Sequence, residues 1–172
     1  MKPLPSNTII DWIGLDAVES EFLRSGAAYW NRLRGERPWP SRDELNIRDM
    51  THFASYMSLV QVIDNGADFR HRIVGDAMVC AFSVPIQNRR FSEIAVDAPK
   101  LIQNSFLIFR KVLETRAPVA VHQNIGHDVQ EAVYMRGERV LLPLGRTNDL
   151  IDHILAFGYN ETCVISPPAS VL

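Results

Sequence analysis

The side chains able to do chemistry in this chain are few: five histidines, His52, His71, His122, His127 and His153, and two cysteines, Cys80 and Cys163. His122 and His127, with Asp128 and Glu131 close by, are the nearest thing to a metal-ligand group. They flank a strand end and read as a polar turn, so no metal is expected. The cysteines are too few for a disulfide framework and lack the paired spacing of a zinc site. Cys80 has Val79 and Phe82 for neighbours, and apolar surroundings offer nothing that stabilises a thiolate nucleophile. His52 and His153 read as ordinary surface or satisfied histidines. His71 is different. Strand alternation puts it on one face with Phe69 and Ile73, so it points into the core, where an imidazole needs a hydrogen-bond partner or a ligand. The sequence has no phosphate-binding glycine loop, dinucleotide fingerprint, nucleophile elbow or helical His pair at metal spacing. The pair Arg89 and Arg90, with Lys100 nearby, reads as a solvated basic face.

The elements that must position these residues are legible from periodicity. Residues 1–14 carry Pro3, Pro5 and Gly14 and read as an arm. From Leu15 to Leu33 apolar residues recur at three- and four-residue spacing, including Leu23 and Trp30, and Gly35 and Pro38 supply the stop. This is an amphipathic N-terminal helix. Ser41 followed by Glu44 has capping-box spacing and predicts a short helix. Ser58–Asp64 and Phe69–Val74 around Asn65-Gly66 predict a β-hairpin. Asp76–Phe82 and Phe91–Val96 read as short helices, and residues 100–115, which include Phe106, as a long amphipathic one. Pro118–Gln123, Arg139–Leu144 and Ile151–Tyr159 read as three closing strands. Helices set between two blocks of strands predict an α+β fold: a five-stranded antiparallel sheet with helices packed on one face. The expected organisation is an arm over 1–14, one domain over 15–160 and a C-terminal tail over 161–172.

Composition narrows the function. The chain has 172 residues, 47% of them hydrophobic and 22% charged, which suits one globular domain with a proper core. Eighteen Lys and Arg against 20 Asp and Glu leave a net charge of -2, with no general attraction for a polyanion, so nucleic acid is not an expected partner. The N-terminal run Thr8-Ile9-Ile10 is broken at once by Asp11 and is no signal-peptide core, and no apolar stretch approaches the length of a membrane helix. A cytoplasmic protein is expected.

Four strings, in this order, resemble one family: Trp30 closing the first helix; the connector Arg37-Pro38-Trp39-Pro40-Ser41-Arg42; Phe69-Arg70-His71-Arg72-Ile73-Val74-Gly75; and Leu141-Leu142-Pro143-Leu144. They resemble the PAS domains, in particular the single-domain PAS-like proteins of alphaproteobacteria, over about residues 20–158. Two positions depart from that pattern. His71 stands where the family usually has Tyr, and Asn88 where a Gly commonly precedes the Arg, a change that a left-handed Asn tolerates.

The resemblance implies a non-enzymatic sensory or regulatory module whose concave sheet face holds a small molecule and whose partner contacts carry the output. Flavin is not expected, because Asn88-Arg89-Arg90-Phe91 lacks the photoreactive cysteine. Haem is not expected either, because residues 100–115 contain no His. The candidate pocket residues are His71, Cys80 and Phe106. Leu23 and Trp30 are the candidate interface, on a stripe of the first helix that packs against a second copy in a homodimer, with an unidentified signalling protein as a further partner. Two other readings stand beside it: a small α+β enzyme with His71 as acid or base, to which spacing assigns no carboxylate, and an adaptor whose pocket its own side chains fill.

Overall fold

The computed structural model describes residues 9–82, 84–124 and 136–161. Its centre is one six-stranded antiparallel sheet, β1 (Ile9–Ile13), β2 (Met57–Ile63), β3 (Asp68–Val74), β4 (Val119–Asn124), β5 (Arg136–Leu144) and β6 (His153–Glu161), in the spatial order β1-β4-β5-β6-β2-β3. The five expected strands are all present, and the arm supplies the sixth. Ile9–Ile13 pairs along β4, from Ile9 opposite Asn124 to Ile13 opposite Ala120. The short run beginning with the two isoleucines reads as a tail by its prolines, yet it needs only an open strand edge to become ordered. The rest of the arm, residues 1–8, and the expected tail from 162 on lie outside the described residues, as do His127, Asp128, Glu131 and Cys163.

Helices cover both faces of the sheet, which corrects the expectation of one. α2 (Asp76–Val79), α3 (Phe91–Ile94) and α4 (Pro99–Thr115) lie over one face. α1 (Glu21–Arg34) lies over the other: a Cβ built on Gly26 meets the Phe157 ring at 2.6 Å, and the Trp30 indole N–H donates to the Pro143 carbonyl at 2.8 Å. Both faces being buried, β5 reads Val140-Leu141-Leu142-Pro143-Leu144 as a continuous apolar run rather than an alternating one. Pro143 is tolerated because the ladder to β4 stops at Val119 opposite Leu141, beyond which β6 continues alone beside β5.

The predicted first helix starts later than its periodicity suggests. Leu15–Ala17 is a separate 3-10 turn, Val18–Ser20 is extended or irregular, and α1 begins at Glu21. Ser41 and Glu44 do form their capping box. In the hairpin, Leu59 pairs with Ile73 but Val60 pairs with His71, so Arg72 is an extra residue without a partner. This β-bulge breaks the simple alternation. His71 keeps the buried face beside Phe69, whereas Ile73 turns outward and is 45% exposed, contrary to the expectation that the three share a face. Among the described residues no helix is long and apolar enough to cross a membrane.

Candidate functional site

The sheet face under α2, α3 and α4 has an aromatic wall and a polar floor. Phe69 from β3, Phe91 from α3 and Phe106 and Phe109 from α4 form a cluster with ring centroids 5.1–5.9 Å apart. The Phe91 and Phe109 rings meet almost at right angles, an edge-to-face arrangement that aromatic quadrupoles favour. Beside this cluster is a cavity of about 40 Å³, lined on the sheet side by Ser58, His71, Gln123, Arg139, Leu141 and Ala156. Met78 from the one-turn helix α2 and Phe82, three residues past its end, also line it. A volume of this size admits one or two waters in the present state.

Each polar floor residue arrives by strand period. Gln123 on β4 and Arg139 and Leu141 on β5 share the cavity face, while their neighbours His122 and Glu138 point to the α1 face. His71 is 5% exposed, and its Nδ1 lies 2.9 Å from the Ser58 hydroxyl oxygen. Burial pushes the His71 pKa down to about 4, so the ring is neutral at pH 7. Its ring centroid lies 5.1 Å from that of Phe91, the two planes tilted by 38°. Gln123 is 4% exposed. The Arg139 guanidinium donates to the carbonyls of Glu138 and Tyr159 and, at 2.6 Å, to Asn160 Oδ1.

Of the three candidate pocket residues, the structure brings His71 to the cavity. Phe106 belongs to the adjoining aromatic cluster, where the Arg110 guanidinium covers its ring at 4.6 Å, and is not among the cavity-lining residues. Cys80 is exposed and outside the cavity: α2 spends its inward direction on Met78, which packs against Gly158, and the next residue but one falls on the solvent side. The interface candidates need correcting in the same way. Leu23 is fully buried and Trp30 is 4% exposed, both against their own sheet, so neither offers surface to a second copy. The helical stripe is real, but its partner is intramolecular. Asn88 has φ +59°, the left-handed conformation its position requires.

A second, larger groove of about 290 Å³ opens on the α1 side, around Glu138 and the N-terminus of α1. Its central carboxylate is already fully used. Glu138, 6% exposed, accepts from the backbone N–H of Glu19 at 2.9 Å and of Ser20 at 2.8 Å, and from His122 Nε2 at 2.7 Å. Burial alone would raise its pKa, but these hydrogen bonds outweigh it and hold the carboxyl below its usual value. Ser20, the residue placed to cap α1, makes no side-chain cap bond, so a carboxylate from β5 supplies that role. His122 is thus a hydrogen-bond partner of Glu138. His153 is held by Asp152 at 2.7 Å, and His52 packs against Phe22.

Sequence reasoning missed Ser58, Gln123, Arg139 and Glu138. The signal for the last two was the charged pair directly before the apolar run of β5: a strand buried on both faces places adjacent charges in two separate interiors, and each needs partners there.

Compared with known proteins, residues 18–158 match the model of the family described as PAS domain. No curated protein and no solved structure matches the chain.

Proposed function

The chain belongs to the PAS domain family, a family of sensory and regulatory modules, and on that premise we propose that it is a non-enzymatic sensor: a small ligand occupies the cavity beside His71, and occupancy alters contacts with a protein partner. The observation that carries this reading is His71 itself. A neutral imidazole, 5% exposed and fixed by Ser58 beside a bulge in an edge strand, serves no packing need that an apolar side chain would not meet better. A ligand larger than water enters by displacing Met78, which hangs from a single helical turn, or Phe82 just past it; methionine adapts readily to such changes. Partner contacts, a second copy included, form elsewhere than at Leu23 and Trp30.

The enzyme reading has less support. The described cavity lining contains two hydroxyls and an imidazole but no carboxylate to orient the ring, and a base titrating at about 4 is poorly matched to proton abstraction at neutral pH. The adaptor reading is favoured by one observation, the 40 Å³ volume, which the aromatic cluster leaves nearly filled. Native mass spectrometry of protein purified from its own host, set against the denatured mass, separates sensor from adaptor. A non-covalent mass excess of a small molecule supports the sensor. A folded protein without excess favours an adaptor acting through protein contacts alone.

A further inference from the structure

Resting on the ligand-binding reading above, we infer that the cavity selects an uncharged molecule with an apolar body and one hydrogen-bonding head, the head meeting His71 and Gln123, and that it rejects both apolar isosteres and ammonium compounds. His71 uses Nδ1 on Ser58, and its Nε2 makes no hydrogen bond to any described residue. Gln123 is 4% exposed on the same cavity, and its carboxamide likewise makes no side-chain hydrogen bond among the described residues. Two polar side chains, each more than nine-tenths buried, thus share one small space with unused donor and acceptor capacity. A purely apolar occupant would expel any water and leave both unsatisfied, an outcome folded proteins avoid. A donor–acceptor head bonds either tautomer of a neutral histidine and either end of an amide. The remaining lining is apolar apart from Ser58, Ser105 and Arg139, and Ser105 is turned back onto the Leu101 carbonyl. Among the described lining residues the ionised group is the cation Arg139, and none is a carboxylate that could receive an ammonium head.

Phenol, toluene and benzylammonium are similar in size and separate these features. Their affinities are to be measured by amide and side-chain NMR titration of the full chain, following the Gln123 side-chain amide and the His71 ring nitrogens. The expected result is that phenol shifts both groups, that the phenol-to-toluene affinity ratio falls about tenfold in His71→Phe and in Gln123→Leu, and that benzylammonium binds at least tenfold more weakly than phenol. Reading each ratio within one variant cancels the hydration difference between the two probes. If His71→Phe does not fold, Gln123→Leu alone decides. Toluene and phenol binding with a ratio unchanged by either substitution, or benzylammonium binding as well as phenol, overturns the inference and leaves the ligand-binding reading in place. Failure of all three probes to perturb any cavity residue of the folded wild type overturns both.

Discussion

The two faces of this sheet each bury a polar side chain, and they treat it in opposite ways. On the α1 face, Glu138 spends its carboxylate on two backbone N–H groups and His122 and in doing so fixes where α1 starts. On the cavity face, His71 has one partner and Gln123 has none among the described residues. A saturated buried group specifies structure; an unsaturated one facing a cavity stores capacity for something else to fill. On the proposed reading, the larger groove is architecture around Glu138, with the Ser20 hydroxyl left unpaired beside it, and the smaller cavity is where a ligand is held.

The largest expected effect tests the packing of the saturated face. Trp30 is 4% exposed and also donates to Pro143, so Trp30→Ala should destabilise the fold by about 3–5 kcal/mol in denaturant unfolding. A loss below about 1 kcal/mol would mean that α1 is not an integral layer of the domain.

The next test uses protons to address the faces separately. The folded His71 binds its proton only near pH 4, and an unfolded histidine binds near 6.5, so between these values the unfolded state holds the extra proton. Stability should rise with pH across that window by about 3 kcal/mol and be flat with respect to this group below pH 4. His71→Phe or His71→Gln should remove that slope. The Glu138 contribution lies lower: its folded pKa is depressed, so its stabilisation is present above the unfolded value of 4.5 and is lost as the pH falls through the folded one. Urea midpoints of wild type and both variants from pH 3 to 7 would show whether the windows separate. A slope between pH 4 and 6.5 that survives loss of His71 would show that the ring is not buried neutral.

Glu138→Gln comes third. It keeps the shape of the side chain but sets an NH2 group against the N–H donors of Glu19 and Ser20. A loss of about 2 kcal/mol is expected, with faster hydrogen exchange confined to the first turn of α1. Exchange rising equally across the cavity face would mean that the faces are one cooperative unit, and the contrast drawn between them would fail.

Much of this arrangement was readable in the sequence, and the failures have particular causes. Five strands, the long helix and the capping box at Ser41 follow from local periodicity and cap chemistry, which depend on neighbours in the chain. Ile9–Ile13 reads as an arm because a strand that completes another strand's edge carries little signal of its own. The expectation of helices on one face, and of the α1 stripe against a second copy, fails because amphipathicity states that a face is buried and not against what. His71 was legible by alternation, but Ile73 was not: the bulge at Arg72 shifts the period by one residue without any glycine to announce it. Gln123 and Arg139 were hidden because a polar residue inside a strand reads as solvent-facing until the second face is known to be covered.

The smallest expected effect discriminates most sharply. Removing a buried polar group is costly when its partners are left behind, and nearly free when it had none. Gln123→Leu removes donor and acceptor atoms that bond no described residue and places an apolar side chain of similar size beside Leu141 and Phe109. Its stability should lie within about 0.5 kcal/mol of wild type, or above it, although the residue is as deeply buried as Glu138. Burial alone would predict similar costs at the two positions; hydrogen-bond saturation predicts that they differ by more than 1 kcal/mol. A Gln123→Leu loss as large as that of Glu138→Gln would mean the carboxamide is bonded in the native state, and the cavity would then be as closed chemically as the α1 face. A neutral result, together with weaker phenol binding in the same variant, would assign Gln123 to recognition and not to folding.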